Sequence, residues 1–258
     1  MPAESRPVHW ILLRGLVRES RHWGDFPDRI RQCFPGDLVI CPELPGCGRR
    51  RSERSSLAIG DYASDLEQQI ADLPHPRILV ALSLGGMVGL SLAQGWPRRL
   101  DGLVLINSSA AWLSPFFRRL SPGAWPVLLS TLWRRDPQNR EEGILGLVSN
   151  SPEARSAALP LWSEIQGHRP VQTGNALRQL AAAAKFRLPA SFSQSELPIL
   201  VLNSLGDRLV HPSCSVTLSR ALHAPLATHP SAGHDLPLDA PAWVLHQLRE
   251  FRRGLKHD

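Results

Sequence analysis

Residues 78–91 read Ile-Leu-Val-Ala-Leu-Ser-Leu-Gly-Gly-Met-Val-Gly-Leu-Ser. The apolar run Ile78 to Leu82, with Pro74 and Pro76 upstream, predicts a buried strand, and Met87, Leu90 and Ala93 continue at helical spacing. A strand therefore turns directly into a helix, with Ser83 at the corner. Ala81 stands two residues before it and Gly85 two after, a small-x-Ser-x-Gly pattern suited to a sharp turn that lifts a hydroxyl clear of a sheet. Bulkier flanking side chains would collide across that turn. The helix N-terminus beneath Ser83 favours negative charge, and the Leu84 N–H can point at an oxyanion. Serine is also a favoured N-cap residue, so this stretch alone leaves open a Ser83 that merely caps the helix.

Outward from this corner the chain alternates strands and helices. Val8 to Leu13 predicts the first strand, a helix follows from about His22 to Cys33 with Trp23, Phe26 and Ile30 on one face, and Asp37 to Cys41 predicts a short strand. Pro42 to Gly48 reads as a loop, and Ile59 to Leu73 as a helix carrying Tyr62, Leu66, Gln69 and Ile70 in register. After the corner, Leu103 to Ile106 is a further buried strand. From Ala110 to Pro189 the alternation breaks into helical patterns interrupted by prolines, with no evident strand and with Trp112, Trp125, Trp133, Trp162, Phe116 and Phe117. It resumes with a strand at Pro198 to Asn203, a helix at Ser213 to Leu222, a weak strand at Leu226 to His229 and a last helix from Pro241 to Leu255. This order predicts an α/β fold with a doubly wound, mostly parallel sheet whose site lies at the carboxyl ends of the strands. The expected core comprises residues 1–109 and 190–258, with a helical insertion at 110–189.

Composition narrows the class. With 258 residues, 43% hydrophobic and 20% charged, the chain has the profile of a globular protein with one sizeable core. No apolar run is long enough to span a bilayer, and Met1 to Pro7 lacks the apolar centre of a signal peptide, so a cytoplasmic location is expected. Cys33, Cys41, Cys47 and Cys214 form no Cys-x-x-Cys pair and no zinc-finger spacing, which predicts free thiols and no metal site. The net charge of +6 comes from arginine, clustered at Arg49 to Arg51, Arg118-Arg119 and Arg134-Arg135. Such clusters can attract an acidic partner or simply be solvated. No nucleic-acid module is evident.

A serine hydroxyl attacks well only when a neighbouring base takes its proton, and imidazole is the usual base. His234, in Gly-His-Asp after the last strand, is the candidate, and Asp207, in Gly-Asp-Arg after the preceding strand, can hold its other ring nitrogen. Taken singly, Asp207 also fits a turn residue and His234 an ordinary histidine. Yet Ser83, Asp207 and His234 all fall at strand ends, in the order Ser, Asp, His expected of a triad on such a sheet. The loop after the first strand should give the second oxyanion donor, and Leu16 N–H fits by position.

These motifs give the chain a clear resemblance to the α/β-hydrolase superfamily, and within it to small, lid-bearing bacterial esterases. The resemblance rests on Arg14-Gly15-Leu16, Leu44-Pro45-Gly46-Cys47-Gly48, Ser83-Leu84-Gly85-Gly86, Gly206-Asp207-Arg208 and Gly233-His234. It implies a nucleophile elbow at Ser83, an oxyanion hole from Leu16 and Leu84, a helical lid at 110–189 and hydrolysis of a small acyl ester without a cofactor. Relatives usually carry His-Gly where this chain has Arg14-Gly15, which puts an extra cation by the oxyanion hole. Arg14 is thus a candidate substrate contact, as are Trp112, Phe116 and Phe117 for an apolar acyl pocket; the rings could equally anchor the lid. Relatives also open with an antiparallel strand pair, for which there is no room here, so about six strands are expected. An arginine-rich lid with Ser-Leu-Gly-Gly at the elbow is similar to the pimeloyl-acyl-carrier methyl esterases of biotin synthesis, implying an acidic acyl carrier protein as an alternative partner. A non-catalytic binding protein, a perhydrolase and a carbon–carbon bond hydrolase remain open on the same fold.

Overall fold

The structure is a computed structural model and describes residues 7–96, 98–134, 136–188, 192 and 196–255. The first six residues, Arg135 and the expected core–insertion boundary at 189–190 lie outside the described residues.

Six strands form the sheet: β1 (His9–Leu13), β2 (Leu38–Ile40), β3 (Arg77–Leu82), β4 (Gly102–Ile106), β5 (Ile199–Ser204) and β6 (Leu226–His229). Their order is β2-β1-β3-β4-β5-β6 and every neighbouring pair is parallel. Six strands is the number expected from the sequence. Parallel strands covered on both faces need apolar residues at consecutive positions, and β1, β3 and β4 are buried throughout. In β1, Trp10 and Leu12 face one side of the sheet while Ile11 and Leu13 face the other. Register aligns the strand ends: Leu13 pairs with Ala81, Leu82 with Ile106, and Ile106 with Leu202. The loops after β1, β3, β4 and β5 consequently leave the sheet along one edge.

On one face α1 (Phe26–Cys33) packs through Phe26 and Ile30; on the other, α2 (Ile59–Ile70) packs through Tyr62, Leu66 and Ile70 beside the largely apolar α3 (Leu84–Gly95). The helix expected from His22 begins later. Residues Ser20–Trp23 form a single 3-10 turn, Gly24 takes φ 56°, and α1 starts only where Pro27 fits its first turn.

Between β4 and β5 lie α4 (Phe116–Arg119), α5 (Trp125–Trp133), α6 (Pro137–Val148), α7 (Pro152–His168) and α8 (Thr173–Lys185). Prolines that look like breakers in the sequence in fact begin α6 and α7, where the missing N–H is no loss. An isolated bridge joins Ala111 to Arg187 where no pairing was anticipated. This segment has its own apolar cluster of Leu120, Ala124, Leu145, Leu147, Val148 and Trp162.

After β5 come α9 (Ser213–Leu222), a short α10 (Leu236–Asp239) not foreseen from the sequence, and α11 (Pro241–Gly254), which joins the α1 face through Val244 and Leu248. No helix among the described residues is long and apolar enough to cross a membrane.

Candidate active site

Ser83 joins β3 to α3 with φ 56° and ψ −115°, a conformation that costs a residue with a side chain about 1–3 kcal/mol and survives only where its surroundings enforce it. Here they do: Ser83 N–H donates to Ile106 O at 2.8 Å, and Ser108 Oγ donates to Ser83 O at 2.8 Å. Ser83 stands at the N-cap of α3 but its side chain makes no capping bond. A capping role, left open by the sequence, is thereby removed.

The loop after β1 presses onto this corner. A Cβ on Gly15 would lie 3.1 Å from both Leu82 O and Ser83 Cβ, and one on Gly85 would lie 2.6 Å from Leu13 O and 2.8 Å from Arg14 O. Only glycine at 85 lets the two backbones approach so closely. Leu16 and Leu84 follow directly on these contacts, and neither backbone N–H donates to a described residue. Val17 N–H is held by Gln179 Oε1 at 2.9 Å, which fixes the loop from its far side. Gly85→Ala is therefore expected to destabilise the protein by about 1–3 kcal/mol through backbone overlap. Thermal unfolding checks this, with Gly60→Ala, where nothing lies within 4 Å, as the silent comparison; equal melting temperatures for the two variants would contradict the packing described.

His234 Nδ1 lies 2.7 Å from Asp207 Oδ2, with the histidine 4% and the aspartate 7% exposed. Asp207 is itself clamped, since its Oδ1 accepts from the Leu209 and Val210 N–H groups at 2.8 and 2.9 Å. With Nδ1 engaged, Nε2 is the ring nitrogen left for proton transfer. The end of β4 then ties this pair to the elbow. Asn107, at φ 46°, donates from Nδ2 to His234 O at 2.8 Å and accepts from Ser204 N–H, while Ile106 and Ser108 hold Ser83. A single three-residue segment thus touches the backbone of both Ser83 and His234.

Asp239 adds a second brace: its carboxylate accepts from Gly233 N–H at 2.6 Å, Asn150 N–H at 2.7 Å and Ser149 Oγ at 2.5 Å. Asp235 N–H donates to Val148 O at 2.9 Å. The junction of α6 and α7 is therefore fastened to the loop that carries His234.

The polar run Asn107-Ser108-Ser109 directly follows the buried strand β4, and its role as a brace emerges only with the fold. Gln179, fully buried, carried no signal. Arg14 does not extend a free charge: it is 4% exposed and bidentate on Asp235, Nη1 to Oδ1 at 3.2 Å and Nη2 to Oδ2 at 2.5 Å. Trp112, Phe116 and Phe117 are 81%, 51% and 58% exposed, and Arg187 stacks on Trp112 at 3.9 Å. Trp162, by contrast, is buried under Arg18 at 4.4 Å and anchors its helix.

Other nucleophiles and bases are poorly placed. All four cysteines are free, and burial pushes the Cys41 and Cys47 thiols up to about 11, so neither supplies a thiolate near neutral pH. Burial, with Arg18 and Arg14 nearby, holds His22 well below the ordinary histidine range, and its Nδ1 accepts from Glu19 N–H at 3.1 Å. No group of three or more metal-ligating side chains occurs among the described residues.

Residues 10–247 match the model of the Alpha/beta hydrolase family. The chain is 29% identical over 237 residues to a pimeloyl-[acyl-carrier protein] methyl ester esterase of Yersinia pseudotuberculosis, covering 86% of this chain and 88% of the relative. It is 26% identical over 245 residues to the protein of the same name from Yersinia enterocolitica, covering 89% and 91%. Its fold superposes on esterase RhEst1 from Rhodococcus sp. ECU1013 with a TM-score of 0.79 at 16% identity, over 97% of this chain and 92% of that one. With the parallel sheet, the strained serine at the end of β3 and a family match spanning most of its length, this chain belongs to the alpha/beta hydrolase family.

Proposed function

We propose that the chain hydrolyses a carboxylic ester or thioester through an acyl-enzyme on Ser83, with His234 as base and Asp207 as its partner. The observation that carries this reading is the buried 2.7 Å hydrogen bond between His234 Nδ1 and Asp207 Oδ2, braced by the same β4 segment that holds Ser83. As the Ser83 oxygen attacks the carbonyl carbon, His234 Nε2 takes the hydroxyl proton, and the Leu16 and Leu84 N–H groups receive the developing oxyanion. His234 then gives that proton to the departing alcohol or thiol. A water deprotonated by His234 attacks the acyl carbon, releasing the acid and restoring Ser83.

The helices between β4 and β5 act in this reading as a lid over Ser83. Trp112, Phe116 and Phe117, exposed on the segment that leaves β4, offer apolar surface to an acyl chain on its way in. The charge of Arg14, already paired with Asp235, is not assigned to substrate.

A second reading is a methyl ester carried on an acidic acyl carrier protein. It is favoured by the names of the Yersinia relatives and by the exposed Arg118, Arg134 and Arg208, whereas Arg119 is buried against the carbonyls of Ala183 and Ala184. A panel of p-nitrophenyl esters of increasing chain length, run beside an acyl-carrier-bound methyl ester, separates the two. Turnover of the small esters supports general esterase action; a carrier preference of about a hundredfold or more, lost at high ionic strength, moves the assignment to the carrier ester. No turnover of either class would overturn both.

A further inference from the structure

Arg14 and Asp235 are 221 residues apart in sequence and meet as a buried, two-pronged ion pair, each under a tenth exposed. The guanidinium lies 4.8 Å over the Trp23 ring and 6.0 Å from that of Trp162. Burying two opposite charges is often no more stabilising than packing apolar side chains in their place, so stability alone does not account for the pair. Its position does. Arg14 O is one of the atoms a Cβ on Gly85 would strike, a Cβ on Gly15 would lie 3.1 Å from Ser83 Cβ, and Leu16 N–H comes next; Asp235 follows His234 in the chain.

We infer that Arg14 and Asp235 are positioning residues: their fork sets the loop bearing the Leu16 N–H in register with the loop bearing His234. The inference rests on the catalytic reading of Ser83, His234 and Leu16 given above. A planar guanidinium gripping both carboxylate oxygens fixes distance and angle together, which a point charge cannot do. The pair also neutralises the charge of Asp235, the residue that follows His234 in the chain. Among the described residues, charges on the elements beside His234 include Asp207 on its Nδ1, Asp239 bonded to Gly233 N–H, and Arg208, whose guanidinium reaches the carbonyls of Gly146 and Ser149.

The test compares Arg14→Gln, Asp235→Asn, the double variant and Arg14→Lys on a p-nitrophenyl ester, with fluorophosphonate labelling of Ser83 in the wild type alongside. Each single neutral variant is expected to lower kcat by about 10- to 100-fold with KM within about threefold, as a displacement near 1 Å does. The acid limb of kcat/KM moves in opposite directions. In Arg14→Gln the unpaired Asp235 stabilises imidazolium and the limb shifts to higher pH; in Asp235→Asn the unpaired Arg14 shifts it to lower pH. The double variant returns the limb to its wild-type position, and Arg14→Lys keeps that position while losing kcat.

Limbs that stay in place, or move the same way in both single variants, overturn the inference while a labelled Ser83 preserves the catalytic reading. A wild type that is not labelled at Ser83 overturns both. Should Arg14→Gln fail to fold, Asp235→Asn and Arg14→Lys decide the matter: a downshifted limb in the first with an unmoved limb in the second upholds the inference, and any other pairing sinks it.

Discussion

Ser83→Ala is expected to lower kcat on any ester the chain turns over by about 10⁴-fold or more while leaving the fold intact. The magnitude follows from losing the only atom to which an acyl group is transferred in this mechanism; what survives is oxyanion binding and proximity acting on water. The structural silence of the change follows from the elbow itself. Ser83 makes no side-chain capping bond, and its backbone is held by Ile106 O and by Ser108 Oγ, contacts that alanine keeps. Alanine also accepts φ 56° no worse than serine does. The melting temperature should therefore match the wild type, since the change falls among substitutions worth within about 0.5 kcal/mol. A kcat within tenfold of wild type would remove Ser83 from the chemistry.

Asp207→Asn should produce a loss of similar size, about 10⁴-fold in kcat, for a different reason. Asp207 Oδ1 accepts from the N–H groups of Leu209 and Val210, so an asparagine would keep its carbonyl oxygen there and turn its amide toward His234 Nδ1. His234 Nδ1 must then accept, and its proton moves to Nε2, the nitrogen that has to take the proton of Ser83. The geometry survives but the tautomer is wrong. Asp207→Ala, in contrast, also strips Leu209 and Val210 of their acceptor and should lower the melting temperature as well as the rate. Steady-state kinetics with calorimetry on both variants checks the pair. Full stability in the alanine variant, or full activity in the asparagine variant, would show that the carboxylate does neither job.

Much of this site was legible because parallel strands covered on both faces are nearly continuous apolar runs, and polar residues at their ends stand out against them. Ile78 to Leu82 gives way at once to Ser83, Ile199 to Leu202 leads to Asp207, and the Gly-His-Asp turn follows β6. The rule that such strands end on one edge puts all three at that edge, where the structure pairs His234 with Asp207 and ties the backbones of Ser83 and His234 to one segment. The fork between Arg14 and Asp235 could not be read in this way. In sequence Arg14 reads as a cation beside the oxyanion hole and Asp235 as part of the Gly-His-Asp turn, and only the folded chain brings the loop after β1 to the loop after β6, although three strands separate β1 from β6 in the sheet. The exposure of the aromatic residues in the helical segment was not legible for a related reason: nothing in the sequence separates Trp112 from Trp162, yet the fold leaves the first 81% exposed and the second 1%. The short α10 escaped notice because Leu236-Pro237-Leu238-Asp239 has neither length nor period to announce it.

The α6–α7 junction is held to the His234 loop by Asp239 and by the Asp235 N–H to Val148 O bond. Helix α4 is tied elsewhere, by His211 N–H to Arg118 O at 2.8 Å and by the Arg119 guanidinium to the carbonyls of Ala183 and Ala184, while α4 and α5 also carry the exposed Phe116, Phe117, Leu129 and Trp133.

The most direct test of the central claim is peptide mapping by mass spectrometry after brief exposure to a fluorophosphonate. The account predicts one phosphonyl group per chain, on the peptide containing Ser83, with labelling slowed at least a hundredfold in His234→Ala. A chain that turns over esters yet takes the label on another residue, or takes none, would contradict it.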